Sequence, residues 1–230
     1  PMAWRSRIAS GVVDLIGSET AKIPTTLLST ATHTTVCAWF CNLEDSRFKS
    51  SEGTTWTSRK KFSFPIRVYK NNGTPGPYRS ANLAIKKAQA PFIAFCDDDD
   101  LFAPQHLSVL WKIISQQKNP ENCLIYTDTA YFEGNLNNIL GFLRYDFDLT
   151  LLKQTNYIAA PAILFAKNLF YTVGEFDTEI PHHADWDFTL RLAKSSVSFV
   201  RVPQMLTYCR HHSQSRSNNS RVPELQLSLD

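Results

Sequence analysis

Four consecutive carboxylates, Asp97, Asp98, Asp99 and Asp100, close the apolar run Pro91-Phe-Ile-Ala-Phe-Cys96. Like charges on one turn repel, and all four stay ionised only where a cation or a ring of donors compensates them. Hard oxygen ligands of this kind suit Mg2+ or Mn2+ rather than zinc. Capping is the competing explanation. Acidic residues often cap a helix that follows a strand, and Pro104 reads as the first residue of such a helix. Capping accounts for one or two of the aspartates and hardly for all four.

Three further groups could do chemistry. Asp45, in Asn42-Leu-Glu-Asp-Ser46, stands at the end of a strand-like segment. There a carboxylate accepts hydrogen bonds from a base or ribose, or makes a local turn with Ser46. Asn72-Gly73, followed by Arg79 and Asn82, combines a glycine that permits close backbone approach with a guanidinium that pairs with phosphate. Asn-Gly turns are common, so this group is weak alone. The third group is His182-His-Ala-Asp185-Trp-Asp187, where two carboxylates open a helix and the macrodipole favours them. One of the two serves as a cap; the other is free to act as a general base beside Trp186. His182 and His183 stand as metal ligands or as ordinary surface histidines. No GxSxG, P-loop or GxGxxG sequence occurs, which removes the main support for a serine hydrolase, an NTPase or a Rossmann dehydrogenase.

These side chains need a scaffold. The run 91–96 has no polar face, as expected of a strand buried on both sides, and in open α/β sheets ligands bind at the carboxyl ends of such strands. Strands are expected over 11–17, 35–41 and 65–69, with a helix over 23–32 and a loop over 47–64. Helices follow over 80–90, facing inward through Ala81, Ala84, Ile85 and Ala88, and over 104–117, through Leu107, Leu110, Trp111 and Ile114. This is the rhythm of a doubly wound nucleotide-binding half. The second half reads as a strand over 123–127 that ends in Asp128 and continues through 132. Helices at 149–154, 167–173 and 186–193 and strands at 162–165, 197–202 and 205–208 complete it. Gly174 is placed to close the helix before it. Segments 134–144 and 211–222 read as loops, with a loose tail from 211 to 230.

With 230 residues and 43% hydrophobic content, the chain can bury a full core as one domain. Residues 11–128 are expected to form its first half and 129–210 its second. A net charge of +3, without basic blocks interleaved with aromatics, gives no ground for a nucleic-acid partner. No apolar run reaches the roughly 18 residues of a membrane span, and the amino end lacks the apolar stretch of a signal peptide. The five cysteines show no CxxC pair and read as reduced core thiols. A cytoplasmic protein is the expectation, with room for peripheral association at the inner face of a membrane.

Taken in order, the pieces resemble a known family. A carboxylate at the second strand end precedes an Asn-rich turn and a helix with Asn82. Then come Ile-Ala-Phe-Cys-Asp-Asp-Asp-Asp-Leu-Phe-Ala-Pro104 and Gly174-Glu-Phe-Asp177. His183-Ala-Asp185-Trp-Asp187-Phe-Thr-Leu-Arg191 and Tyr208-Cys-Arg210-His-His212 follow. This is similar to the family 2 glycosyltransferases, over residues 11 to 217. The resemblance implies a GT-A fold, a Rossmann-like αβα sandwich with a mostly parallel central sheet and a small acceptor-side subdomain. It implies inverting transfer of a sugar from a nucleotide diphosphate sugar, a UDP-sugar favoured, to a glycan or other acceptor hydroxyl. By residue it implies nucleotide contacts at Asp45, Arg79, Asn82, Asp97 and Asp98. Mn2+ or Mg2+ would sit on Asp99 and Asp97 with His212, His212 or His211 would reach the phosphates, and Asp185 would be the catalytic base.

The chain departs from the family at two places. Its first strand ends Ile16-Gly-Ser-Glu19 rather than in a Pro-Thr-Tyr-Asn-like turn, and Ala81 rather than arginine precedes Asn82. A nucleotidyltransferase and a non-catalytic nucleotide-sugar binder stand as alternatives. The first should carry a Gly-rich, basic signature after its first strand, and residues 17–23 have none.

Overall fold

The computed structural model describes residues 76–97 and 100–211, together with the strands β1 (Val12–Val13), β2 (Thr34–Cys37) and β3 (Val68–Tyr69). The helix expected over 23–32, the loop over 47–64, the tail beyond 211, and Asp45, Asp98, Asp99 and His212 lie outside the described residues.

Helix α1 spans Pro77–Lys87 and buries Ala81, Ala84 and Ile85 completely. It starts three residues earlier than expected because Pro77 sits in the first turn, where its fixed φ fits and its missing N–H costs nothing. It ends where Ala88 turns extended, and Lys167 Nζ donates to the Ala88 carbonyl at 2.7 Å. Strand β4 (Phe92–Phe95) is buried at all four positions, as its unbroken apolar run requires. Beyond the acidic turn comes β5 (Leu101–Phe102), a strand too short to leave any periodicity in the sequence. Pro104 lies in the following turn rather than opening a helix, and α2 begins one turn position later, spanning His106–Ser115 behind an N-cap at Gln105.

The second half contains β6 (Cys123–Glu133), β7 (Ile139–Leu143), α3 (Leu149–Leu152), β8 (Ile163–Ala166), α4 (Lys167–Thr172), α5 (Ala184–Lys194) and β9 (Ser198–His211). Two expectations are corrected here. Part of the loop placed at 134–144 is strand β7, an antiparallel partner of β6. The two strands expected over 197–208 are one, because the register slips around the Asp128–Met205 pair and so accommodates Pro203, which has no N–H to give a ladder.

The larger sheet has the order β2-β4-β8-β6-β9-β5, with β7 also on β6. Strands β2/β4 and β6/β9 are parallel; β4/β8, β8/β6, β6/β7 and β9/β5 are antiparallel. The sheet is thus mixed rather than mostly parallel, for a topological reason. Residues 124–126 of β6 pair with β8 and residues 129–132 with β7, so these two strands lie end to end along one side of β6. The chain runs down β7, makes an excursion over 144–162, and resumes the same direction in β8. That excursion therefore leaves the sheet beside the carboxyl end of β4, whose Ala94 pairs with Leu164.

The core between sheet and helices is aromatic. Phe95, Phe165, Phe170 and Phe188 are fully buried and Phe176 nearly so. Phe95 meets Phe165 at 5.8 Å and Phe176 at 5.6 Å between ring centres, and Phe188 meets Phe176 at 4.8 Å. Each such ring contributes about 1.5–3 kcal/mol by burial. Together they fasten α5 and the segment around Phe176 against β4 and β8. Cys96, Cys123 and Cys209 are buried, in keeping with core thiols. Among the described residues no helix is long and apolar enough to cross a membrane.

Candidate active site

At the carboxyl end of β4 the carboxylates have separate duties. Asp97 is half-buried, with its Oδ1 beneath the surface. Asp100 is buried, and its Oδ1 accepts the main-chain N–H of Arg210 at 2.8 Å. Its own N–H donates to the Asp97 carbonyl at 3.2 Å. Asp100 therefore ties the acidic turn to β9, and this accounts for one of the four aspartates without a ligand.

The paired carboxylates on α5 separate in the same way. Asp187 is bonded by Arg191 Nε at 2.9 Å, one turn along the helix. Arg191 also donates to the carbonyls of Val173, Gly174 and Glu175, which leaves it fully engaged as a clamp on the end of α4. Gly174 there has φ 88, a left-handed conformation that a side chain would strain. Asp185 instead receives the Tyr78 hydroxyl on Oδ1 at 3.0 Å and the Asn156 amide on Oδ2 at 3.3 Å. It is half-buried on an N-terminal turn that enters through His183, itself left-handed at φ 64. Trp186 is not an open aromatic face: its indole N–H donates to the Leu152 carbonyl at 2.7 Å and pins α3 to α5.

Asp185 and the acidic turn are linked through the aromatic core. Tyr78, on the first turn of α1, packs against Phe176, which meets Phe95 at the carboxyl end of β4. The Tyr131 phenol gives a second link. Burial pushes it above its usual range, with further contributions from Cys209 and from the carboxylates of Asp100 and Asp185. One phenol on β6 thus feels both acidic groups. His211 closes the rim at the end of β9. It follows Arg210, which Asp100 holds, and its buried Nδ1 has no hydrogen-bond partner among the described residues.

Two expected nucleotide ligands have partners within the chain. Asn82 is buried, its amide donating to the Phe176 carbonyl at 2.9 Å and accepting the Phe176 N–H at 3.0 Å. Both ends of the side chain are engaged, so Asn82 fixes the Gly174–Asp177 segment to α1 rather than presenting itself to a ligand. Arg79 is exposed and pairs with Glu179 at 3.1 Å, and Lys86 with Glu175 at 2.6 Å, over the same seam. The sequence reading missed Tyr78, Tyr131 and Asn156. No spacing marks them, since Tyr78 owes its place to the docking of α1, Tyr131 to strand register and Asn156 to the 144–162 excursion. Among the described residues, no three His, Cys, Asp or Glu side chains converge as a metal cluster.

Comparison with known proteins bears on this arrangement. An uncharacterized glycosyltransferase of Haemophilus influenzae is 25% identical over 179 residues, covering 74% of this chain and 59% of the relative. The uncharacterized glycosyltransferase YwdF of Bacillus subtilis is 26% identical over 145 residues, covering 60% and 52%. The chain thus spans little more than half the length of these curated relatives. Among solved structures, S. aureus TarS aligns with a TM-score of 0.49 at 16% identity, over 63% of this chain and 26% of TarS. Residues 57–221 match the profile of the family described as "Glycosyltransferase like family 2", a span that holds the acidic turn, the Asn82 clamp and Asp185 together. The chain belongs to that glycosyltransferase family, and its α/β fold is of the GT-A type that the sequence resembles.

Proposed function

We propose that the protein transfers a sugar, with inversion, from a nucleotide diphosphate sugar to the hydroxyl of a glycan or other acceptor. A UDP-sugar is the favoured donor. The observation that carries this reading is the position of Asp185. It is the one carboxylate of the α5 pair not neutralised by an arginine, and its partner Tyr78 packs on Phe176, which meets Phe95 at the strand end that leads to Asp97.

Asp185 accepts the proton of the acceptor hydroxyl as that oxygen attacks the sugar carbon from the face opposite the diphosphate. Two of its roughly four lone-pair positions are filled by Tyr78 and Asn156, which leaves others for the acceptor. The Asp97 carboxylate, half-buried at a strand terminus, is a hard oxygen donor of the kind a divalent cation takes. Asp97 and Asp99 with His212 would hold Mn2+ or Mg2+, which when bound neutralises charge on the leaving diphosphate. Asp45 and Asp98 belong to the nucleoside and Arg79 to the phosphates in this reading, while Asn82 acts through the segment it clamps.

A thermal-shift panel of nucleoside diphosphates, with and without Mn2+, tests the proposal. A hundredfold excess over the dissociation constant adds about 2.7 kcal/mol of stability. A shift for one nucleotide that grows with Mn2+ is expected. No shift with any nucleotide would overturn the donor assignment and favour a non-catalytic protein.

A further inference from the structure

We infer that Tyr78 and Asn156 are positioning residues for the reaction, a two-sided clamp that sets the rotation of the Asp185 carboxylate. The inference rests on the reading of Asp185 as the general base. A carboxylate turns easily about its terminal torsion, because sp3–sp2 rotors have broad wells. A base must nevertheless aim a lone pair at one proton, and small misplacements of reacting groups are costly. Here each oxygen receives its own donor, Oδ1 the Tyr78 hydroxyl at 3.0 Å and Oδ2 the Asn156 amide at 3.3 Å.

The two donors come from different parts of the chain, and each is itself held. Tyr78 stands on the first turn of α1, its ring tilted against Phe176 at 5.8 Å between centres, and Asn82 grips both main-chain polar groups of Phe176. Asn156 rides on the 144–162 excursion. That segment is fastened to α5 through the bond from Trp186 to Leu152, and braced by the Tyr157 hydroxyl on the main chain of Asp148. Asp185 supplies the third part from α5, where Thr189 Oγ1 closes on its carbonyl at 2.8 Å. Three separately anchored elements meet at one carboxylate, which a helix N-terminus does not need for capping alone.

The experiment compares wild type with Tyr78→Phe and Asn156→Ala. It follows release of nucleoside diphosphate from the nucleotide sugar that the thermal-shift panel selects, with simple glycosides and water as acceptors. Each variant removes one donor and leaves Asp185 in place. The expected result is a fall in kcat of about tenfold in each, scaled down from the hundredfold cost of a 1 Å misplacement, with donor KM within twofold of wild type. A purely stabilising role would lower Tm and leave kcat per nucleotide-binding site unchanged. That result in both variants would overturn the clamp. Should Asn156→Ala fail to fold, Tyr78→Phe, which loses one hydroxyl, decides alone. Asp185→Ala separates this inference from the reading beneath it. Full activity in Asp185→Ala sinks the base assignment; an inactive Asp185→Ala beside wild-type kcat in both clamp variants sinks only the clamp. Absence of release by the wild type overturns both.

Discussion

The Asp100 carboxylate and the main-chain N–H of Arg210 are 2.8 Å apart, a charge-assisted bond across 110 residues of sequence. It joins the acidic turn to the last described strand, so that β5 can pair with β9 at Leu101–Tyr208 and Phe102–Thr207. Asp100 is thereby a structural carboxylate in the midst of candidate ligands. Asp100→Ala should lower stability by about 1–3 kcal/mol, because the partner N–H loses its acceptor. In a chain of this size that is a fall of roughly 3–10 °C in Tm, read by calorimetry. Asp100→Asn, which keeps the accepting oxygen, should cost less. Equal losses in the two variants would count against the bond.

Asn82 makes a comparable claim on the fold. Its amide satisfies both the N–H and the carbonyl of Phe176 inside the core. Asn82→Ala leaves two buried main-chain groups without partners, and the expected loss is about 2–4 kcal/mol by chemical denaturation. A variant of native stability that fails to bind nucleotide would instead restore Asn82 as a direct ligand.

Asp185→Asn keeps the shape of the side chain and removes its basicity. Turnover should fall by a factor of about 10² to 10⁴, the usual contribution of a general base. Nucleotide affinity, measured by calorimetric titration, should stay within a few fold. Loss of turnover and binding together would make Asp185 a structural residue.

His106 predicts a pH dependence. It is buried, stacked on Phe102 at 3.9 Å, and its Nδ1 is 3.2 Å from the Leu206 carbonyl. Burial lowers its pKa from 6.5 to about 3, against a smaller opposing effect of that carbonyl. The sign follows directly. Below pH 6.5 the unfolded chain binds a proton that the folded chain refuses, so stability falls as pH drops and keeps falling until about pH 3. Between pH 6.5 and 5 the loss from this group approaches about 2 kcal/mol. Urea titrations of wild type and His106→Gln at pH 7.5 and 5 isolate it, since other groups cancel. Parallel losses in the two proteins would refute the assignment.

Arg201 donates to both oxygens of Asp128, at 2.8 and 3.0 Å, and to Asp146 at 3.0 Å. The Asp128 side chain is only 8% exposed, so truncating its partner strands a buried charge. Arg201→Ala should cost about 3–5 kcal/mol at pH 7. Replacing Arg201 and Asp128 together by apolar residues should recover part of that loss, which thermal denaturation of the double variant would read.

Much of the scaffold was legible in the chain itself. The unbroken apolar run at 92–95 required a strand buried on both faces, and the spacing of Ala81, Ala84 and Ile85 required a helix with an inward stripe. Gly174 announced a helix end, and the order of acidic turn, Gly-Glu-Phe-Asp segment and Asp185 identified the family before any coordinates. These are local signals, fixed by backbone period, turn chemistry and residue type.

Roles within each acidic group were not legible. Asp185 and Asp187 are two residues apart on the same turn; Arg191 reaches Asp187 from one turn along the same helix, but only the folded chain brings Tyr78 and Asn156 to Asp185. Asp97 and Asp100 look alike in sequence until Arg210 arrives from β9. Asn82 reads as a ligand until Phe176 closes on it. The sequence by itself determined which residue types stand at strand ends and helix starts, because those follow from short-range sterics and burial. The tertiary structure alone decided the partners of Asp100, Asp128 and Asp185, because these lie about 30 to 110 residues away along the chain and come within hydrogen-bond reach only through the packing of sheet and helices.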